Sequence, residues 1–565
     1  MDLCVSLTEA LSVFLHREWG LRDVDIRWEF PSLEHGDIAT PLAFHLAKKL
    51  HQSPGAIAEH LAVEVQKYPG IERCTVAGAG YVNVWFTPAF LLQGLGGVRQ
   101  ACVPLPLHRD RAPVIIEYSQ PNIAKPLGVH HLLSTIIGQA LCNLYRHAGT
   151  AVVGWNYIGD WGTQFGKLAV AFARWGKKRD IQTYTLDELL GLYVRFHTEA
   201  ASDPALEAAG REAFRRLEHG DAELRAFWKD VVVVTKSSLA GIYQRLHVRF
   251  DTDIGESFYE DKMASVLEEG KRKGVFVPGR EGALIVEFSE ETTLPPFLVQ
   301  KGDGATLYAT RDLAQIRYRT DTYHPQAILH VVDRAQQLYF RQLFATVEKL
   351  GWEVPHLEHV VFGRMRFADT KMSTRAGTVL KLEHVLDEAV DRAGSVIDEH
   401  RDTIQTDDRN ALAEMMGTGA LVYGILSQNR KMDIVFDWEK FLSFDGNSAP
   451  YLQYTYARAR SVLRKAGGEG VGAEATSITP AERTLLVRLL QFPCVLQESR
   501  DDHMPHKLCQ YLYQLCQAYN AFYNTDPILT ASSPVRDVRV LLTACTASVL
   551  RTGAELLTLQ VPDRM

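Results

Sequence analysis

Apolar and polar positions follow three different rhythms along this chain. Over roughly the first hundred residues, apolar side chains recur at helical spacing around Leu3–Trp19 and Pro41–Leu50, with the turn-forming Glu-His-Gly-Asp of 34–37 between them. Tyr81–Phe86 then alternates as a strand does. From Val114 onward, short apolar runs alternate with helical patterns. Val114–Tyr118 reads as a strand, Pro121–Pro126 as its turn and His131–Leu144 as a helix; Ala151–Tyr157 and Ala327–Val332 read as further strands. Strands that are apolar on both faces and separated by helices predict a buried parallel sheet. From about Val379 the strand signals fade. Leu485, Leu486, Leu489 and Leu490, and later Leu508, Leu512, Leu515 and Tyr519, mark single apolar stripes that predict a helical bundle.

The expected architecture is therefore an α/β multidomain protein: a small α+β unit over residues 1–108, a Rossmann-like parallel-sheet domain over 109–378, and a helical domain over 379–565. Pro104–Pro113 reads as the first linker, and the charged, helical stretch from Lys177 to Asp253 as an insertion between the halves of the sheet. A chain of 565 residues exceeds what one hydrophobic core organises, and 46% hydrophobic with 23% charged residues is ordinary for a globular protein. No apolar run approaches the roughly 20 residues that span a bilayer. The start carries Asp2 and no basic segment, so it reads as an amphipathic helix rather than a secretory signal; cytoplasmic residence is expected. The eight cysteines form no C-x-x-C pair, which argues against a zinc site. A net charge of −7 disfavours a broad basic surface, so an RNA partner would meet local cationic patches.

The densest chemistry lies in Glu117–Gly138, where the end of a strand, a polar turn, His130, His131 and a helix start follow one another. A strand that delivers its carboxyl end to a helix N-terminus presents free N–H groups and a favourable dipole to phosphates. Four more segments stand out in order: Asn156–Leu168 (NYIGDWGTQFGKL), Asp303–Ala314 (DGATLYATRDLA), Thr370–Gly377 (TKMSTRAG) and Phe444–Ala459 (FDGNSAPYLQYTYARA). Together, in register, they closely resemble the arginyl-tRNA synthetases, a class I family, over essentially the whole chain.

The resemblance implies an arginine–tRNA ligase. It would use ATP, with Mg²⁺ held mostly by the phosphates and no zinc, to make arginyl-adenylate from L-arginine; the arginyl group would then pass to the terminal adenosine of tRNA(Arg). Members of the family generally need tRNA present before they activate arginine, and a monomer is expected. Residue by residue, the resemblance implies catalytic roles for His131, Lys371, Ser373 and Arg375, with Gly128, His130, His131 and Lys371 at ATP. It places Glu117, Asn122, Tyr308, Asp312 and Gln336 at arginine, and Asn83, Phe86, Tyr454 and Arg458 at tRNA. One signature departs from the family: His-x-Gly-His reads Gly-Val-His-His at 128–131, and Leu133 stands where an arginine is usual. Hence the rival expectation of a catalytically impaired tRNA-binding relative, and a third, that arginine is activated for an acceptor other than tRNA.

Several residues also carry plain structural readings. Tyr308 and Asp312, four apart, share a helix face; the structural alternative for Asp312 is a salt bridge to Arg311 or Arg317. Asn83 and Phe86 read equally well as RNA contacts or as a plain strand with Asn83 outward and Phe86 in a core. Trp161 and Tyr456 read as core, while Gln164 could face the substrate.

Overall fold

The computed structural model describes residues 3–108, 110–367, 380–402, 404–468 and 477–565. In the N-terminal unit, β1 (Ile38–Thr40) and β2 (Ile71–Ala77) pair antiparallel on either side of β3 (Tyr81–Phe86). Helices cover this sheet, and two of them begin with the same local device. Ser53 and Thr87 each accept a hydrogen bond from the backbone three residues on, with Pro54 and Pro88 supplying the first helical residue. Asn83 and Phe86 are both buried, at 5% and 1% exposure. Phe86 stacks on Phe90 at 5.2 Å, its N–H donates to Asp37 (2.7 Å), and its carbonyl accepts from Arg483 (2.6 Å). Neither side chain is presented to solvent in this conformation, so the RNA-facing expectation is corrected: three apart on one strand they lie on opposite faces, Phe86 packed on Phe90 and Asn83 enclosed between Ala39 and Thr75 of the flanking strands. Arg483 also clasps buried Asp37 through Nε and Nη2 (2.9 and 2.8 Å), tying the unit to the C-terminal bundle.

The next strands are β4 (Val114–Glu117) and β5 (Val152–Trp155), then a small antiparallel sheet of β6 (Val277–Pro278), β7 (Leu284–Val286) and β8 (Phe297–Gln300), and then β9 (Ala327–Asp333) and β10 (His356–Phe362). β10, β9, β4 and β5 lie side by side, all parallel, in that order. All four residues of β4 are buried, as expected of a central strand covered on both faces. The helix Val129–His147 follows β4 and starts two residues earlier than its apolar pattern suggested, because Gly128 is its N-cap. The insertion is helical, as expected: Leu186–Ala200, Pro204–Glu218 and Ala222–Arg245.

Two further strands, β11 (Met365–Phe367) and β12 (Ile434–Phe436), pair where the sheet domain meets the bundle. The chain returns at Leu380–Leu382 beside the start of the Val129–His147 helix: Val129 N–H donates to Leu380 (3.0 Å) and Leu382 N–H to Leu127 (2.9 Å). The bundle then comprises Leu382–Glu399, Arg409–Leu426, Ala449–Ala466, Pro480–Leu490, Phe492–Asp501, Pro505–Thr525 and Val535–Leu556, with the short helix Trp438–Phe441. Leu485, Leu489, Leu508, Leu512, Leu515 and Tyr519 are all fully buried, as their spacing predicts. Among the described residues, no helix is long and apolar enough to cross a membrane.

Candidate active site and bundle cleft

At the carboxyl end of β4 the backbone is forced into a tight turn. Ser119, Gln120 and Ala124 adopt left-handed φ values of 75°, 56° and 61°, which non-glycine residues hold only where surrounding structure compels them. Ser134 supplies part of that constraint, accepting from Ser119 N–H (3.0 Å) while donating to Val331 of β9 (2.7 Å). Asn122 lies exposed against Gly159, where a Cβ would stand 2.7 Å from the Asn122 side-chain oxygen.

His131 occupies the first turn of the following helix. Its Nδ1 lies 3.1 Å from Gly128 N and 3.3 Å from the Gly128 carbonyl oxygen, the first contact suiting a ring with hydrogen on Nε2 and the second a ring with hydrogen on Nδ1. Burial, then the neighbouring His130 ring 4.0 Å away, pushes the His131 pKa down to about 4. The ring is therefore neutral at pH 7 and sits at a helix N-terminus, where an anion is favoured. His130, the residue that replaces the usual glycine, is exposed. Lys371, Ser373 and Arg375 lie outside the described residues.

The helix Tyr308–Tyr323 presents Asp312, Gln315 and Arg319 on one stripe beneath the strand ends. Glu117 at the end of β4 is fully engaged within the protein. Arg319 Nη1 lies 2.5 Å from Oε2, Gln315 donates to Oε2 (2.9 Å), Gln120 donates to Oε1 (2.8 Å), and His330 Nδ1 is 3.5 Å from Oε1. Burial would raise its pKa, but the Arg319 and His330 charges outweigh it and hold Glu117 down at about 2. Arg319 itself is buried beneath the Trp155 ring, 4.1 Å away.

Asp312 differs from Glu117. It accepts from the hydroxyls of Tyr339 and Tyr157, the latter at 3.4 Å, and among the described residues no cation lies within ion-pair distance of it. Burial raises its pKa to about 6, the Tyr339 hydrogen bond opposing and the Glu117 charge reinforcing the rise. The salt bridges considered for it are spent elsewhere: Arg317 pairs with Asp321 (2.9 Å) and Arg311 with Glu256 (3.2 Å). A half-buried carboxylate framed by two tyrosine hydroxyls and lacking a cation among the described residues suits a planar cationic guest. Tyr308, one turn before Asp312, is 67% exposed, and Gln336 is exposed on the turn after β9. Tyr157 stands inside a segment the sequence marked, whereas Tyr339 and Arg319 carried no local signal.

The Gly-Asp-Trp-Gly turn is a brace. Asp160 accepts from Ser257 N–H (2.8 Å) and Ser257 Oγ (2.7 Å), and Trp161 is core, edge-on to Phe214 and Trp228. Gln164 donates back to the Trp161 carbonyl (2.9 Å), so the expectation that it faces substrate gives way to a turn-closing role. No group of three or more His, Cys, Asp or Glu side chains is arranged to hold a metal ion among the described residues.

In the bundle, Tyr454 and Arg458 share a face as predicted, with the guanidinium 4.8 Å from the Tyr454 ring, 5.0 Å from Tyr523, and donating to Asn520 (2.6 Å). They line a cleft of about 1,090 Å³ together with Ser461, Lys465 and Arg564. Tyr456 is buried and bonded by Arg551, the core position expected.

Residues 103–438 match the family model for the catalytic domain of class I (R) tRNA synthetases, residues 452–565 the DALR anticodon binding domain, and residues 4–86 the arginyl tRNA synthetase N terminal domain. The arginine–tRNA ligase of Fusobacterium nucleatum is 38% identical over 534 residues, 94% of this chain and 93% of the relative. That of Chloroflexus aggregans is 38% identical over 538 residues, 93% of each. Among solved structures, the Thermus thermophilus arginyl-tRNA synthetase matches with a TM-score of 0.83 at 26% identity, covering 100% of both chains. By sequence along nearly its whole length, and by the domains in their order, the chain belongs to the class I arginyl-tRNA synthetase family.

Proposed function

We propose that the chain is a working arginine–tRNA ligase, and the observation that carries this is Asp312: a half-buried carboxylate, framed by Tyr157 and Tyr339, without a cation of its own among the described residues. In the first step the arginine carboxylate attacks the α-phosphorus of ATP, forming arginyl-adenylate and releasing pyrophosphate. In the second, a ribose hydroxyl of the tRNA's terminal adenosine attacks the arginyl carbonyl and releases AMP. Neither step needs a protein nucleophile; both need positioning and donors aimed at developing negative charge. Asp312 holds the guanidinium, with Tyr308, Asn122 and Gln336 around the amino acid. Glu117, locked by Arg319, contributes its negative charge and fixes the strand end that carries the turn.

His131 donates from Nε2 to phosphate oxygens, and Gly128 and His130 border the nucleotide. Lys371, Ser373 and Arg375 supply the cationic segment over the triphosphate. Mg²⁺ arrives on the ATP phosphates, a mode of binding that needs few protein ligands. Tyr454 and Arg458 meet unpaired bases in the anticodon-domain cleft, where stacking and a cation suit splayed nucleotides. A cytoplasmic location and a monomeric chain complete the proposal and are open to fractionation and sedimentation. The direct test is charging of unfractionated tRNA with arginine and ATP. Arginyl-tRNA formation supports the ligase; tRNA binding without charging would instead favour an impaired relative.

A further inference from the structure

Beside the arginine pocket lies an ion pair whose position raises a selectivity problem. Arg311 precedes Asp312 on the helix Tyr308–Tyr323, and its head pairs with Glu256 at 3.2 Å; the two side chains are only 11% and 12% exposed. Arg311 Nε is buried and has no hydrogen-bond partner among the described residues. A guanidinium in so dry a place needs a carboxylate, and Asp312 is the next residue along. Arginine is also the substrate proposed for this pocket, so Arg311 carries the substrate's own recognition group. Left to itself, it would compete for Asp312.

Glu256 is held rigidly enough to prevent this. Its N–H donates to Ile158 (3.0 Å), and the preceding Gly255 packs so closely that a Cβ there would stand 2.5 Å from the Ile158 carbonyl and 2.6 Å from Asp160 Oδ1. The following Ser257 is fastened twice to Asp160. Adjacent helix positions point roughly 100° apart, so Arg311 meets Asp312 only if its flexible head swings across. We propose that Glu256 is a positioning residue for arginine selectivity: by sequestering the Arg311 guanidinium it leaves Asp312 free for the substrate's. Asp160, through Ser257, supports the turn that carries it.

The inference rests on Asp312 as the guanidinium site, so the first arm is charging by the unaltered chain; if that fails, the pocket assignment fails rather than this inference. With charging established, arginine is varied at saturating ATP and tRNA for Glu256→Gln, Arg311→Gln and the double variant. Glu256→Gln is expected to raise KM for arginine about tenfold with kcat within about twofold, because the freed guanidinium competes with substrate and leaves the chemical step alone. Arg311→Gln alone stays near the unaltered KM, and the double variant returns to it. A mere structural brace would make the two single variants behave alike. Equal rises in KM for both single variants, or an unchanged KM in Glu256→Gln, would overturn the inference. Glu256→Asp, one methylene short, is expected to fall between the unaltered chain and Glu256→Gln.

Discussion

Replacing Asp312 with asparagine should cripple the enzyme while making its fold more robust. Lifting the carboxyl from 3.8 to about 6 costs the folded chain about 3 kcal/mol near pH 7.5, at ~1.4 kcal/mol per tenfold change in the ionisation equilibrium. The sign follows from proton affinity: the folded group binds its proton more tightly than the unfolded one. The penalty is therefore absent below pH 3.8 and grows as pH rises through about 6. Asparagine removes it, and its carbonyl can still accept from a tyrosine hydroxyl. Its amide hydrogens need new acceptors, which returns about 1–2 kcal/mol and leaves a net gain of about 1–2 kcal/mol. Differential scanning fluorimetry without ligand should show the catalytic-domain transition rising by a few degrees. Arginine then meets a pocket without its negative charge. Loss of one partner of a buried charge pair costs about 3–5 kcal/mol, so kcat/KM for arginine should fall at least about a hundredfold in initial-rate charging assays. A KM for arginine within a few-fold of the unaltered value, or a lower melting temperature without ligand, would refute the reasoning.

Three other outcomes follow from the same geometry. With Asp312 near pKa 6, its ionised fraction falls from about 0.97 at pH 7.5 to about 0.24 at pH 5.5, so KM for arginine should rise about fourfold or more across that range, as initial rates would measure. Arg483→Ala leaves Asp37 buried without its cation, at a cost of about 3–5 kcal/mol to docking of the N-terminal unit; hydrogen exchange in β3 should quicken while the parallel sheet keeps its protection. Exchanging Gly128 for histidine and His130 for glycine adds an imidazole donor at the helix N-terminus and removes the ring beside His131; kcat/KM for ATP should rise about tenfold in steady-state assays.

What the sequence disclosed and what it hid divide along the range of the forces involved. The central strands were legible because each is apolar on both faces, and the leucine stripes of the bundle because helices impose their spacing. The strands β6, β7 and β8 run only two to four residues, too short to show a period, and they are held by pairing with one another. Phe86 fits both a core and an RNA-facing reading until Phe90 and Arg483 close over it, and Arg483 comes from almost 400 residues away. Asp312 and Tyr308 shared a face by simple helical arithmetic. Tyr157, 155 residues from Asp312, and Arg319, 202 residues from Glu117, reach the site only through sheet topology. Chain-local patterns thus exposed the carboxylates, and long-range packing decides which of them already has its cation: among the described residues Glu117 does, and Asp312 does not.

The central claim is tested most directly by charging unfractionated tRNA with each of the twenty amino acids in turn, with ATP and the unaltered chain. Arginine alone should be esterified to tRNA. Charging with a different amino acid, or none with any of the twenty, would contradict an arginine–tRNA ligase built around Asp312.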